Sequence, residues 1–228
     1  MKRTHIVGAG AAAFIATGLY LATEMPMTSP ATAEESTEEA GTPDSDQKRI
    51  LADIQNDPLA PTVEPENYDV TIVMYSDYQC PYCRRMHPAI ESVLESDDKV
   101  RVVYRDWPIF GGPSDRAAKA AIASQYQDMH LEFHDALMTS SGSFTQATIR
   151  QAADEAGVDW EQLESDMQTH SDEIDALLDR TRAQAALLGF QGTPGLLVGS
   201  NRIPGAVDEA MLRNAIEAVR TESESSND

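Results

Sequence analysis

Apolar runs alternate along this chain with polar breaks marked by proline and glycine, and their spacing predicts a mixed α/β order. Val70 to Tyr75 reads Val-Thr-Ile-Val-Met-Tyr, β-branched and continuous, the pattern of a central strand buried on both faces. From Pro81 to about Glu95, Met86, Ile90, Val93 and Leu94 recur at helical spacing, and Val100 to Tyr104 reads as a second strand. That is a strand-helix-strand unit with a right-handed crossover between parallel strands. Ser114 to Leu188 reads as successive helices. Ser114 serves as an N-cap, Asp159 with Gln162 as a capping box, and Gly157 and Gly189 as stops. Ile174, Leu177, Leu178, Ala185 and Leu188 form one buried stripe. Leu196 to Val198, the turn Gly199-Ser200-Asn201 and a strand through Ile203 predict a hairpin. Val207, Met211, Leu212, Ala215, Ile216 and Val219 predict an amphipathic closing helix.

The start of the chain has a different character. Lys2 and Arg3 precede an apolar run from Ile6 to Ala22, after which the sequence turns acidic. This is the layout of an export signal. The run lies at the short end of the roughly 17 to 25 residues that a spanning helix needs, so an uncleaved membrane tether is the alternative. Ala31-Thr32-Ala33 offers a cleavage site after Ala33. Glu34 to Asp46 is acidic and poor in large apolar residues, which predicts a flexible linker. A short helix from about Asp46 to Asn56 carries Ile50, Leu51 and Ile54 on one side and is ended by Pro58 and Pro61.

Composition narrows the reading. The chain has 228 residues, 41% of them hydrophobic, enough for one sizeable core. Lys and Arg number 17 against 38 Asp and Glu, a formal charge of -21, so nucleic acid and anionic lipid are repelled rather than bound. Cys80 and Cys83 are the two cysteines. They close too small a loop to staple a fold, and no second pair completes a zinc site, so no metal is expected. His5, His87, His130, His134 and His170 are scattered. His87 reads as a solvated helix residue, and His130 and His134 as structural, because the glutamate of a zinc-protease helix is missing between them.

The chemistry gathers at Cys80-Pro81-Tyr82-Cys83. A strand ending just before a Cys-x-x-Cys puts the first sulfur at the start of the next helix, where free N–H groups and the positive dipole end favour an anion. Pro81 suits the first helical turn, where its missing N–H has no partner to lose. Arg84 and Arg85 add positive charge. Cys80 is therefore expected as a low-pKa thiolate, the nucleophile and leaving group of disulfide exchange, with Cys83 as the resolving thiol. The pair needs no cofactor.

Taken in order, Asp57-Pro58, Ser76-Asp77-Tyr78-Gln79-Cys80-Pro81-Tyr82-Cys83, Tyr104-Arg105-Asp106-Trp107-Pro108, Glu132-Phe133-His134-Asp135-Ala136-Leu137 and Gly192-Thr193-Pro194-Gly195 resemble the DsbA-like branch of the thioredoxin superfamily, especially its exported ScsC-like and BdbD-like members. The resemblance implies an α/β, thioredoxin-like fold with an inserted helical domain. The chain then divides into a signal peptide or anchor (1–33), an acidic linker with a short helix (34–57), and the first half of the thioredoxin-like domain (58–113). After these come the inserted helical domain (114–190), the second half (191–220) and a disordered acidic tail (221–228). The resemblance also implies that Pro194 is cis and packs on the cysteines. Thr193 then presents backbone to an extended substrate, with Pro81 and Tyr82 supporting the site; an ordinary turn proline is the alternative. Where many relatives carry a buried acid six residues before the first cysteine, this chain has Met74, which cannot move a proton.

The expected function is disulfide exchange with cysteine-containing exported client proteins in the periplasm or another extracytoplasmic space. A membrane partner of DsbB type would reoxidise the pair. Only a short helix and linker precede the domain, which favours a monomer and the dithiol oxidase direction. Reductase or isomerase work stays open, because Thr before the proline and Pro-Tyr between the cysteines also occur in reducing relatives. A redox-inactive module, handling copper or acting as a chaperone, is the reading from another class.

Overall fold

The strand Val70–Ser76 (β2) is buried along its whole length, and the fold is arranged around it. The computed structural model describes residues 43–142 and 144–225. The export or tether segment, its cleavage site and most of the linker therefore lie outside the described residues. Along the chain come α1 (Pro43–Gln55), β1 (Thr62–Val63), β2, α2 (Pro81–Ser96), β3 (Val100–Asp106) and α3 (Gly112–Ala123). A 3-10 turn at Ser124–Gln127 leads to α4 (His130–Thr139), α5 (Gln146–Ala156), α6 (Trp160–Thr169) and α7 (Ser171–Leu187). The chain closes with β4 (Gly195–Val198), β5 (Asn201–Pro204) and α8 (Glu209–Ser225). This is the thioredoxin-like α/β fold, with a run of helices between β3 and β4.

The sheet has the order β1-β3-β2-β4-β5. β2 runs parallel to β3, with Val70 opposite Val100 and Ser76 opposite Asp106, and antiparallel to β4, with Tyr75 opposite Gly195. Because strand side chains alternate faces, β2 feeds two cores. Val73 and Tyr75 join Val103, Leu197 and the helices between β3 and β4. Val70, Ile72 and Met74 join Met86, Ile90 and Val93 of α2 and Leu212 and Ile216 of α8. Coverage on both faces explains why the strand sequence does not alternate. The two-residue edge strand β1 pairs antiparallel with β3 and is too short to leave a periodic signal.

Several local expectations need correction. Ser114 is not an N-cap: it lies inside α3, whose cap is Gly111, and its hydroxyl donates to Asp77. Asp159 does cap α6 by accepting from Gln162 N, but the Gln162 side chain turns forward to Asp166, so the reciprocal half is missing. The full capping box is Thr145 with Thr148, at the start of α5. Helix α1 begins at Pro43, inside the stretch read as linker. Helix α8 continues to Ser225, so residues 221–225 are helical rather than disordered. Arg220 fastens that helix by pairing with both Asp69 and Asp97.

One buried ion cluster ties the layers together. Asp57, between α1 and β1, accepts from Arg105 Nη1 of β3 at 2.8 Å and from Arg180 Nε and Nη2 of α7 at 2.9 and 3.0 Å. The Arg105 side chain is fully buried and also donates to Ile54 O. Burial alone raises the Asp57 pKa, but the bonds from Arg180 and Arg105 outweigh it and hold the carboxyl below its ordinary value. Substituting Asp57→Asn strands the Arg105 charge and is expected to cost about 3 kcal/mol or more in urea unfolding at neutral pH. A depressed carboxylate contributes stability above its unfolded pKa and loses it as pH falls through its folded pKa. The gap between wild type and variant should therefore close in acid; a gap that stays constant with pH would refute this role.

Candidate active site

The C-terminal end of β2 delivers Cys80 to the N-cap of α2, with φ -73° and ψ 117° and Pro81 directly after it. The loop between them is held by Asp77, which is buried. Its Oδ1 accepts from Gln79 N at 2.8 Å and Ser114 Oγ at 2.7 Å. Its Oδ2 accepts from Ile109 N at 2.6 Å and Phe110 N at 3.1 Å. One carboxylate thus joins the cysteine loop, the loop after β3 and the start of α3. Opposite, the Thr193–Pro194 peptide is cis, and Thr193 O lies 3.3 Å from Cys80 Sγ. Gly195 is required next to it, since a Cβ there would meet the Phe190 ring at 2.9 Å; that ring in turn packs on Tyr75.

The two thiols are free and chemically unequal. Cys80 is lowered to about 5. The hydrogen bond from Cys83 is the largest cause; the Thr193 side chain and the backbone amides of Cys83 and Tyr82 add to it, against burial. Cys83 is pushed far up, because it donates to Cys80 and is buried. The arginines following the pair contribute less directly than their positions in sequence imply. Arg84 Nε donates to Tyr78 O at 2.7 Å and its Nη1 to Ser140 O at 2.8 Å, while Arg85 lies over the Tyr82 ring. Tyr82 (54% exposed), Ile109 (42%) and Phe110 (50%) leave apolar surface open around this region.

Behind the cysteines lies a buried polar cluster that the sequence did not announce. Tyr78 OH pairs with His134 Nδ1 at 2.9 Å. The His134 ring contacts those of His87, Tyr104 and His130, with centroids at 5.4, 4.6 and 5.7 Å. Burial, then the neighbouring His130 and His87, push His134 well below the ordinary histidine range, so it is neutral. His87 is not solvated, as its helix position predicts: it is 3% exposed, because α4 packs over that face of α2, and its Nε2 meets Asp135 at 2.8 Å. Asp106, opposite Ser76 at the end of β3, is a buried acid missing from the sequence reading. Burial chiefly, with the charge of Asp77 adding and the Tyr78 hydroxyl opposing, raises its carboxyl to about 8. Only its register beside the end of β2 could have pointed to it.

A thioredoxin-like fold, a Cys-x-x-Cys at a helix N-terminus and a cis proline facing the first sulfur define a redox-site protein of the thioredoxin class. Comparison with known proteins narrows the class. Residues 71–217 match the DSBA-like thioredoxin domain, and the chain belongs to that family of thiol–disulfide exchange proteins. A thioredoxin-like oxidoreductase from Silicibacter pomeroyi DSS-3 is 40% identical, with a TM-score of 0.71 over 75% of this chain and 97% of that one. The thiol-disulfide exchange protein alpha-DsbA2 from Wolbachia pipientis is 28% identical, with a TM-score of 0.71 over 77% and 97%. A periplasmic thioredoxin-like protein from Salmonella enterica serovar Typhimurium is 28% identical, with a TM-score of 0.65 over 75% and 95%. Curated relatives include a Na(+)/H(+) antiporter NhaA 1 of Mycolicibacterium gilvum, 30% identical over 154 residues, or 66% of this chain; the chain spans 25% of that protein's length.

Two measurements probe this geometry. In the reduced protein, alkylation of Cys80 should follow a thiolate titrating at about 5. Cys83→Ala removes the leading donor, a charge-assisted bond of about 1.5–3 kcal/mol, and should move that midpoint up by about 1 to 2 pH units; an unmoved midpoint contradicts the assignment. For Asp106, the folded protein keeps a proton that the unfolded chain releases between 3.8 and about 8, so this group costs stability as pH rises through that window. Asp106→Asn should therefore stabilise the protein by roughly 2–4 kcal/mol at neutral pH and by almost nothing near pH 3 in denaturant titrations. Destabilisation at neutral pH would show the carboxyl to be ionised and paired.

Proposed function

We propose that the chain is an exported dithiol oxidase that passes its Cys80–Cys83 disulfide to cysteine-containing client proteins. The supporting observation is the inequality of the sulfurs: reduced Cys80 is a stabilised thiolate, which favours the reduced enzyme and makes its disulfide a strong electron acceptor. A client thiolate attacks the Cys80 sulfur, the Cys80–Cys83 bond breaks, and the electron pair leaves on Cys83. At that moment Cys80 no longer accepts a bond from Cys83, so the main cause of Cys83's raised pKa is absent and it can depart as a thiolate before taking a proton. Met74 cannot supply that proton. A second client thiol then attacks the client sulfur of the mixed disulfide and releases Cys80 as thiolate. Two electrons and the client's two protons leave the client, and a disulfide remains in it.

An extended client segment can lie along the backbone at Thr193, with its apolar side chains against Tyr82, Ile109 and Phe110. Reoxidation of the pair calls for a disulfide-donating membrane partner of DsbB type. Export is supported by the apolar run Ile6 to Ala22 and by the periplasmic relative; among the described residues no helix is long and apolar enough to cross a membrane.

Equilibration with glutathione tests the direction. A potential near about -120 mV is expected for an oxidase, whereas one at about -200 mV or below would assign the same site to reductase or isomerase work. Cys80→Ser should abolish oxidative refolding of a reduced client; retained turnover would overturn the exchange mechanism, and retained suppression of client aggregation alone would point to a chaperone.

A further inference from the structure

Away from the sulfurs, three side chains able to hold a cation meet where α2 packs against α4. His87 and Glu91 are one helical turn apart on α2 and share a face, and Asp135 reaches across from α4. One ligand atom from each lies within 4.8 Å of the other two, and His87 Nε2 is 2.8 Å from Asp135 Oδ1. The imidazole is almost completely buried, while half of the Asp135 side chain is open to solvent. Independently, Glu91 Oε1 is fully buried with no hydrogen-bond partner among the described residues. Two carboxylates converging on one half-buried spot repel each other, and a buried carboxylate oxygen left unmet costs free energy unless positive charge lies beside it. The bond between His87 Nε2 and Asp135 Oδ1 leaves Glu91 Oε1 unanswered, and His87 Nδ1 is likewise buried with no partner among the described residues.

We propose that His87, Glu91 and Asp135 bind a divalent transition-metal ion of the Zn2+ type, with solvent completing its shell on the Asp135 side. One imidazole nitrogen and two carboxylates suit such an ion better than calcium or magnesium, which prefer all-oxygen shells. Tetrahedral bonds of about 2.0–2.2 Å put ligand atoms roughly 3.3 Å apart, so the His87–Asp135 contact of 2.8 Å would open slightly while the wider spacings, within 4.8 Å, close. Glu91 also borders a surface cavity whose rim includes Glu95, Asp97 and Asp98, an acidic approach that draws cations in. The ion fastens the helix carrying Cys83 to the first long helix beyond the 3-10 turn, without using either sulfur.

The test uses the full chain with Cys80→Ser and Cys83→Ser, so that its outcome is independent of the disulfide chemistry. Calorimetric titration with Zn2+ should show saturable uptake of one ion per chain and a rise in melting temperature. Glu91→Gln and Asp135→Asn should each weaken binding by about tenfold or more and lose the thermal shift, while circular dichroism stays unchanged. Because Asp135 is solvent-exposed, its variant keeps the test valid even if substitution at Glu91 disturbs packing. Co2+ bound to the chain with both cysteines intact should give ligand-field bands without a thiolate-to-metal charge-transfer band. Unsaturable uptake, affinity unaltered in both carboxylate variants, or binding that requires the cysteines would each overturn the site.

Discussion

The Asp77 carboxylate is the fixed point on which the redox site depends. Four donors converge on it, from the residue before Cys80, from two residues of the loop after β3 and from Ser114 in α3. A buried carboxylate with four good donors is strongly oriented, and here the donors come from three separate parts of the chain. Their common acceptor sets where the cysteine loop ends relative to the apolar surface of Ile109 and Phe110. The position of Cys80 facing Thr193 then follows from β2 and β4 being neighbours in the sheet, since one strand leads into the cysteines and the other leaves the cis proline.

The difference between the two sulfurs grows out of this arrangement rather than out of nearby formal charge. Arg84 and Arg85 stand next to the pair in sequence, yet their guanidinium groups are turned to carbonyls and to aromatic rings. The thiolate is stabilised by short-range donors: the second cysteine and the amides of the first helical turn. Such donors act at contact distance and are little affected by the strongly acidic character of the whole chain, whose exposed charges are screened over about 8–10 Å in physiological salt. An acidic exterior and an anionic sulfur therefore coexist.

Much of this was legible in the sequence because it depends on local pattern. The continuous β-branched run of β2, the helix following Cys80, the hairpin at Gly199-Ser200 and the stripe on α7 from Ile174 to Ala185 all appear where spacing puts them, though Leu188 falls just past the helix and is only partly buried, and the order of the motif segments carried the family. What the sequence concealed depends on contacts between distant segments. His87 looks solvated on its own helix and is buried only because α4 lies over it. Ser114 has the chemistry of a cap but spends its hydroxyl on Asp77, and Asp106 lies beyond the Val100 to Tyr104 run read as a strand, yet its register with Ser76 places it inside. The segment after Arg220 looks too polar to order, yet Arg220 gripping Asp69 and Asp97, together with Thr221, Ser223 and Ser225 bonding back to the preceding turn, carries α8 on to Ser225.

The hairpin strand β5 forms one margin of the sheet, and its residues are largely open to solvent. A sheet margin that offers unpaired backbone runs the hazard of pairing with other chains. This margin is poorly suited to such pairing. It is four residues long, it ends in Pro204, which has no N–H to give, and its Arg202 side chain is folded onto the carbonyls of Leu188 and Gly189. A passing polypeptide finds little ladder to extend there.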